Sequence, residues 1–187
     1  MSKQEWKPGT ILYPIPAVMV SCGTMEKSNI LTVAWTGIVN SDPAMTYISV
    51  RPERYSYDII KSSGEFVINI TTEELAFATD WCGVRSGADY DKFKEMKLTK
   101  GKALHVDCPI VEESPINIEC KVKQELHLGT HTMFLAEIVG VQADEKYMEE
   151  SGRFDFAASN PIAYSHGEYY TLGKKLGKFG YSVKKKR

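Results

Sequence analysis

The chain has 187 residues, with 23 basic and 24 acidic side chains and 43% apolar residues. One soluble globular domain spanning residues 1–187 is expected, large enough to bury about two-thirds of the surface that its unfolded chain would expose. Ten tyrosines and seven phenylalanines argue against a disordered regulatory chain.

The opening MSKQEWKPGT has no apolar signal core, and no apolar stretch reaches the length of a bilayer crossing. A cytoplasmic location without a membrane partner is therefore expected. The charge is unevenly placed: the basic C-terminal tail, residues 171–187, has seven basic groups and no acidic ones, which leaves residues 1–170 at a formal charge of −8. That balance argues against a broad nucleic-acid surface. The tail's last four residues, Lys184 to Arg187, could touch a polyanion but read best as a solvated end. Cys22, Cys82, Cys108 and Cys120 contain no CxxC pair, so buried thiols are expected rather than a zinc knuckle or a dithiol centre.

In chain order, Ala17 to Cys22, Asn29 to Gly37 and Met45 to Val50 read as short strands, separated by Gly23 and the Ser41-Asp42-Pro43 turn. Glu53 to Lys61 reads as a short helix after Pro52, and GEFVINI as the strand that follows. Thr72 to Leu75 opens a second helical stretch, and Gly83 to Lys94 reads as a long surface connection containing a helical turn. Ile116 to Leu126 and Thr132 to Val141 flank a loop suited to an antiparallel hairpin, and two more short strands surround Ser165-His166-Gly167. Six to eight short strands with a few inserted helices favour a closed antiparallel barrel over a doubly wound sheet.

Strand alternation places Asn29, Leu31, Val33 and Trp35 on one face. Asn29 offers a donor and an acceptor and Trp35 a flat apolar surface, a combination suited to a planar heteroaromatic ring. The strand-to-helix junction SVRPERYSY offers an anion site, with Arg51 or Arg54 supplying charge and Ser56 a hydroxyl. In WCGVRSGADYDKF, Lys92 can donate to a ligand carbonyl, with Asp89 or Asp91 orienting its ammonium; Cys82 is a weaker candidate because it lacks a local histidine partner. His131 suits a hydrogen bond to a cofactor, and His127 is either exposed or structural. No metal site is expected, since neither HExxH nor a compact cysteine–histidine cluster occurs. GxGxxG, GxxxxGK and GxSxG are also missing, which points away from typical nucleotide hydrolases and α/β-hydrolases.

The ordered series NILTVAWTG, SVRPERYSYDII, GEFVIN, CGVRSGADYDKF, HLGTHTMFLAEIVGV and NPIAYSHGEYYTLG resembles the flavin reductase-like, FMN-binding split-barrel family, and most of all its flavoredoxin branch. The resemblance covers almost the whole chain. It implies a mainly β fold, a six-stranded Greek-key-like antiparallel split barrel with inserted short helices, assembled as a homodimer around noncovalent FMN. It also implies Asn29 and Trp35 near the flavin, Ser56 at its phosphate, Lys92 and His131 around its polar atoms, and Tyr164 as an aromatic neighbour. Arg51 and Arg54 fit the phosphate side, with the choice between them open. Where this chain has Ser56 and Tyr164, some relatives have threonine and phenylalanine, which keep the hydroxyl and the ring.

The function implied is an FMN-dependent oxidoreductase in which NAD(P)H passes hydride to flavin N5. The alternative is a flavoredoxin-like electron-transfer protein that receives electrons from a redox protein. Neither requires a catalytic side chain, because the cofactor carries the redox chemistry. The electron acceptor is open in both.

Overall fold

The computed structural model describes residues 1–183; the tail residues Lys184, Lys185, Lys186 and Arg187 lie outside the described residues. In chain order the strands are β1 (Ile15–Pro16), β2 (Val18–Gly23), β3 (Ser28–Val33), β4 (Thr36–Ser41) and β5 (Ala44–Val50), then β6 (Glu65–Ile70), β7 (Lys100–Gly101) and β8 (Ile110–Val111), and last β9 (Ile116–His127), β10 (Thr132–Ala143), β11 (Ile162–Ser165) and β12 (Glu168–Thr171). Helices α1 (Ser56–Ser63), α2 (Ala76–Val84) and α3 (Lys92–Glu95) are inserted among them. No helix among the described residues is long and apolar enough to cross a membrane.

Neither the expected closed antiparallel barrel nor the expected six-stranded Greek-key-like split barrel is what forms. The main sheet has seven antiparallel strands in the order β3-β2-β6-β9-β10-β5-β4, and smaller sheets join β1-β11-β12 and β7-β8; among the described residues none closes on itself. The reason lies in the run expected as a single strand from Asn29 to Gly37. It breaks at Ala34-Trp35, and Thr36–Ser41 continues as β4 on the far edge, paired with β5. The Trp35 carbonyl accepts from the Ser49 amide at 2.9 Å, which turns the chain toward β5. The Thr32 hydroxyl of β3 donates to the Thr79 carbonyl of α2, which seats that helix on the same face of β3 as Ile30, while the outer edge of β3 pairs with no strand among the described residues. The sheet thus stays open between its edge strands β3 and β4, and the Ser49–Val50 end of β5, which β4 does not cover, lies across that opening from β3.

Strands buried on both faces explain the nearly unbroken apolar runs. Val18, Val20 and Cys22 of β2 pack with Phe66 and Ile68 of β6, Phe134 of β10 and Ile60 of α1. Met19 and Ile30 face the opposite side, against Leu75, Ala78 and Cys82 near α2 and Phe93 of α3. The period of two along each strand sorts these residues into two separate clusters. Helix α1 starts at Ser56, later than expected, and ends where Gly64 adopts φ 68° and its amide donates to the Ile60 carbonyl at 2.8 Å. The β9–β10 hairpin forms with slightly longer arms than expected. All four cysteines are buried and unpaired.

Candidate functional site

The open seam between β3 and β5 is the floor of an accessible cavity of about 660 Å³. Leu31 to Ala34 form one side, Ser49 and Val50 the other, and Trp35, where the chain leaves β3, stands at the rim. Helix α2 contributes Asp80, Gly83 and Val84, the β9–β10 loop His131, and the β11–β12 hairpin Tyr164 and Tyr169. A smaller chamber of about 120 Å³ adjoins it, sharing Leu31, Glu53, Arg54 and Val84.

The smaller chamber is polar, with Asn29, Ser56, Cys82 and Lys92 buried on its inner side and Glu53, Arg54 and Arg85 exposed at its rim. Asn29 Nδ2 donates to Ser56 Oγ at 2.8 Å, and both residues are almost fully enclosed. The end of α2 holds two cations there: Lys92 Nζ donates to the Cys82 carbonyl at 2.7 Å, and Arg54 Nη1 to the Gly83 carbonyl at 3.2 Å. The last carbonyls of a helix lack intrahelical donors and carry the negative end of its dipole, so they suit ammonium and guanidinium partners. Asp91 accepts from the Lys94 amide to cap α3, and this seats Lys92 at the first helical position, 4% exposed. Burial pushes the Lys92 ammonium down to about 8, although the neighbouring Cys82 favours its charge. Gly87 lies so close to Asn29 that a Cβ there would overlap the amide group.

The larger cavity is lined by rings and by charges with open surroundings. Trp35 and His131 are parallel, with an interplanar angle of 1° and centroids 6.2 Å apart. His131 Nδ1 and the Thr130 hydroxyl are 2.9 Å apart, and burial followed by the Arg51 charge lowers the imidazole's proton affinity. Arg51 is exposed beside them. Tyr164 sits edge-on between Tyr13 and Tyr169, with centroid distances of 5.9 and 5.8 Å.

The eight sequence-predicted site residues therefore fall into two groups. Asn29, Ser56 and Lys92 share the inner chamber; Trp35, Arg51, His131 and Tyr164 line the outer cavity; Arg54 borders both. Lys92 and His131, expected around the same polar atoms, line different spaces. Among the described residues neither Asp89 nor Asp91 pairs with Lys92: Asp91 caps α3, and the Cys82 carbonyl does the holding. The segment 83–94 is not wholly a surface connection, since Lys92 and Phe93 are buried. His127 lies apart, its Nδ1 3.0 Å from the Thr132 hydroxyl, which also bonds the Tyr57 hydroxyl. Burial raises the Cys22 and Cys82 thiols to about 11, keeping both protonated and poorly nucleophilic. Among the described residues no group of three His, Cys, Asp or Glu side chains is placed to hold a metal.

Sequence reasoning missed Asp80, Gly87 and Tyr169 as site residues. Tyr169 had a usable signal, because a two-residue His166-Gly167 turn places it directly across from Tyr164. Asp80 had none, since only the packing of α2 on β3 brings it to the cavity.

A family model described as flavin reductase like domain matches residues 11–173. The flavoredoxin structure of Desulfovibrio vulgaris (Miyazaki F) is 32% identical, with a TM-score of 0.90 over 98% of this chain and 100% of that one. The flavoredoxin structure of Methanosarcina acetivorans is 26% identical, with a TM-score of 0.87 and the same coverage of 98% and 100%. An uncharacterized protein of Archaeoglobus fulgidus is 30% identical over 160 residues, covering 86% of this chain and 89% of its own length.

Proposed function

Because the chain belongs to the flavin reductase like family, whose members in this branch are FMN-binding oxidoreductases and electron-transfer proteins, we propose that it is a flavoredoxin-type electron carrier. In this reading it holds FMN noncovalently and takes electrons from a protein donor. The observation that carries it is the pairing of a polar chamber, with Lys92 buried inside it and Arg54, Arg85 and Glu53 at its rim, with an adjoining ring-lined cavity.

The residues present fit such a group. A phosphate needs several donors and positive charge, and the inner chamber offers the Ser56 hydroxyl, the Lys92 ammonium and the Arg54 guanidinium. The missing Cβ at Gly87 keeps that chamber open beside Asn29. The ring system needs flat neighbours, which Trp35, His131 and Tyr164 supply. We therefore place Lys92 at the phosphate end, with Ser56, rather than at the ring. Arg54 is the arginine of the phosphate side, and Arg51 lies toward the ring and the cavity mouth. When bound, FMN supplies the uptake and release of electrons; the chain holds it, orients it and excludes water. Burial keeps Asn29 and Ser56 in fixed positions before any ligand arrives, so little ordering is needed on binding.

Electron carriage is preferred to NAD(P)H oxidation because the likeness to two flavoredoxins runs almost the whole length of this chain and all of theirs. The reading includes a homodimer, an assembly that the family resemblance implies; light scattering of the flavin-loaded protein should give the two-chain mass.

The decisive test is anaerobic spectroscopy of purified protein. Denaturation should release a flavin with the mass of FMN. A reduced iron–sulfur protein should bleach the flavin much faster than NADH or NADPH does. Rapid bleaching by either nicotinamide would replace the carrier with a hydride-accepting flavin reductase, and a colourless protein that cannot be loaded with FMN would remove both readings.

A further inference from the structure

The α2 side of the outer cavity carries a carboxylate that the proposed FMN site does not use. Asp80 is exposed, lines the cavity and takes part in no ion pair among the described residues. Its Oδ1 accepts a hydrogen bond from the Tyr169 hydroxyl at 3.2 Å. That leaves Oδ2 and the spare lone pairs of Oδ1 open to a ligand, since an ionised carboxylate accepts about four hydrogen bonds. Burial and the Asp80 charge push the Tyr169 hydroxyl up to about 12, so it remains a donor and holds the carboxylate in place throughout the neutral range.

The surroundings of this pair determine what it can recognise. The Tyr169 ring stands edge-on to Tyr164, 5.8 Å between centroids, and both rings line the cavity. Three residues further along α2, the Gly83 carbonyl holds Arg54. Three residues advance a helix by about 4.5 Å, so this wall changes from acceptor to cation within one turn. A planar molecule with N–H donors at one end can rest on the tyrosines and donate to Asp80. An anionic counterpart meets repulsion at that carboxylate and is drawn to Arg51 and Arg54 instead.

We propose that Asp80, Tyr169 and Tyr164 form a subsite for a planar small molecule presenting N–H donors, either a primary carboxamide or an amidinium, and that this subsite selects which small redox reactants enter the outer cavity. The assignment rests on the FMN reading only for what lies next to it.

The test is isothermal titration of the purified holoprotein with benzamidine, benzamide and benzoate, with flavin content measured on each sample by denaturation and mass. Benzamidine and benzamide should bind at one site, and benzoate at least about tenfold more weakly. Asp80→Asn at matched flavin occupancy should weaken benzamidine about tenfold and benzamide less, because the asparagine carbonyl still accepts from a neutral amide. Tyr169→Phe should weaken both by a few-fold through loss of the carboxylate's orientation. Benzoate binding as tightly as benzamidine, benzamidine affinity unchanged in Asp80→Asn, or no binding of either N–H probe would overturn the subsite. Asp80-dependent benzamidine binding by a protein that cannot be loaded with FMN would leave the subsite standing and remove the electron-carrier reading; a yellow protein indifferent to benzamidine would do the reverse.

Discussion

The inner chamber and the outer cavity share a wall but treat their polar groups differently. In the chamber, Asn29, Ser56 and Lys92 are enclosed and already bonded, to one another or to the end of α2. In the cavity, Arg51 and Asp80 are exposed, the ring of Trp35 stands against that of His131, and the ring of Tyr164 stands against those of Tyr13 and Tyr169. Groups fixed in advance suit a resident ligand, because the cost of ordering them is met on folding. Exposed groups keep their hydration until a molecule arrives and regain it when the molecule leaves, which suits a visitor. On the proposed reading the chamber retains the phosphate end of the cofactor, while the cavity takes its ring and exchanges reactants beside Asp80, and each role can be broken separately.

The largest effect is expected at Gly87. A methyl group there overlaps the Asn29 amide, which is short, buried and unable to swing away without losing Ser56. Gly87→Ala should lower FMN affinity about a hundredfold and destabilise the protein by about 1–3 kcal/mol, as overpacked sites do. Adding Asn29→Ala should recover part of the stability by restoring space, so the double variant should be milder than the sum of the single ones. Fluorescence titration with FMN and thermal unfolding check both. Unchanged affinity in Gly87→Ala would dissolve the distinction between a preset chamber and an adaptable cavity.

Lys92→Met comes next. It removes a buried cation and leaves the Cys82 carbonyl without its donor. FMN affinity should fall about ten- to a hundredfold, the range for a hydrogen-bonded charge. Lys92→Arg should keep the charge but fit poorly in a chamber of about 120 Å³. Because Lys92 lies with Ser56 rather than with His131, the rate of flavin reduction at full occupancy should change less than the affinity. Stopped-flow reduction at matched occupancy separates the two; a large loss of rate with intact affinity would return Lys92 to the ring.

What the sequence revealed follows from how local each feature is. The runs AVMVSC and FVINI declare strands buried on both faces, and the structure divides their residues between two clusters. Asn29 and Ser56 stood out through strand alternation and the strand-to-helix junction, whereas the burial of Lys92 did not show, because its segment reads as a surface connection until α3 packs. Closure of the sheet was not visible. It depends on which strands pair at the two ends of the sheet, and β4 is carried to the far edge by its pairing with the later strand β5. The break at Ala34-Trp35 was hidden for a similar reason, since its cause is a bond from the Ser49 amide on a later strand. Asp80 reads as an ordinary exposed helix residue until α2 is docked.

A smaller effect is expected from pH. Burial lowers the Lys92 ammonium from 10.5 in the unfolded chain to about 8 in the folded, ligand-free protein. Between those values the unfolded state binds more protons, so the Lys92 contribution to stability rises with pH across this window; below about 8 the buried charge opposes folding in full. A phosphate has the opposite preference, because it needs the ammonium charged. FMN affinity should therefore decline as pH rises through about 8, with uptake of up to one proton on binding, and Lys92→Met should lose this dependence. Calorimetry in buffers of different ionisation enthalpy counts the protons, and a pH-independent affinity between 7 and 9.5 would detach Lys92 from the anion.

The smallest effect is expected from Tyr164→Phe, and its smallness is informative. The Tyr164 hydroxyl has no hydrogen-bond partner among the described residues, whereas the ring makes edge contacts with Tyr13 and Tyr169. Removing the oxygen therefore leaves no group unsatisfied, and FMN affinity and reduction rate should stay within about twofold. Tyr164→Ala removes both ring contacts, each worth about 0.5–1.5 kcal/mol, and frees Tyr169 to shift away from Asp80. That variant should lose benzamidine binding more than FMN binding, since FMN retains the chamber. The two substitutions thus separate the ring from its hydroxyl, and the two ligands separate the cavity from the chamber. Equal losses of FMN and benzamidine in Tyr164→Ala would mean that the two spaces act as one site.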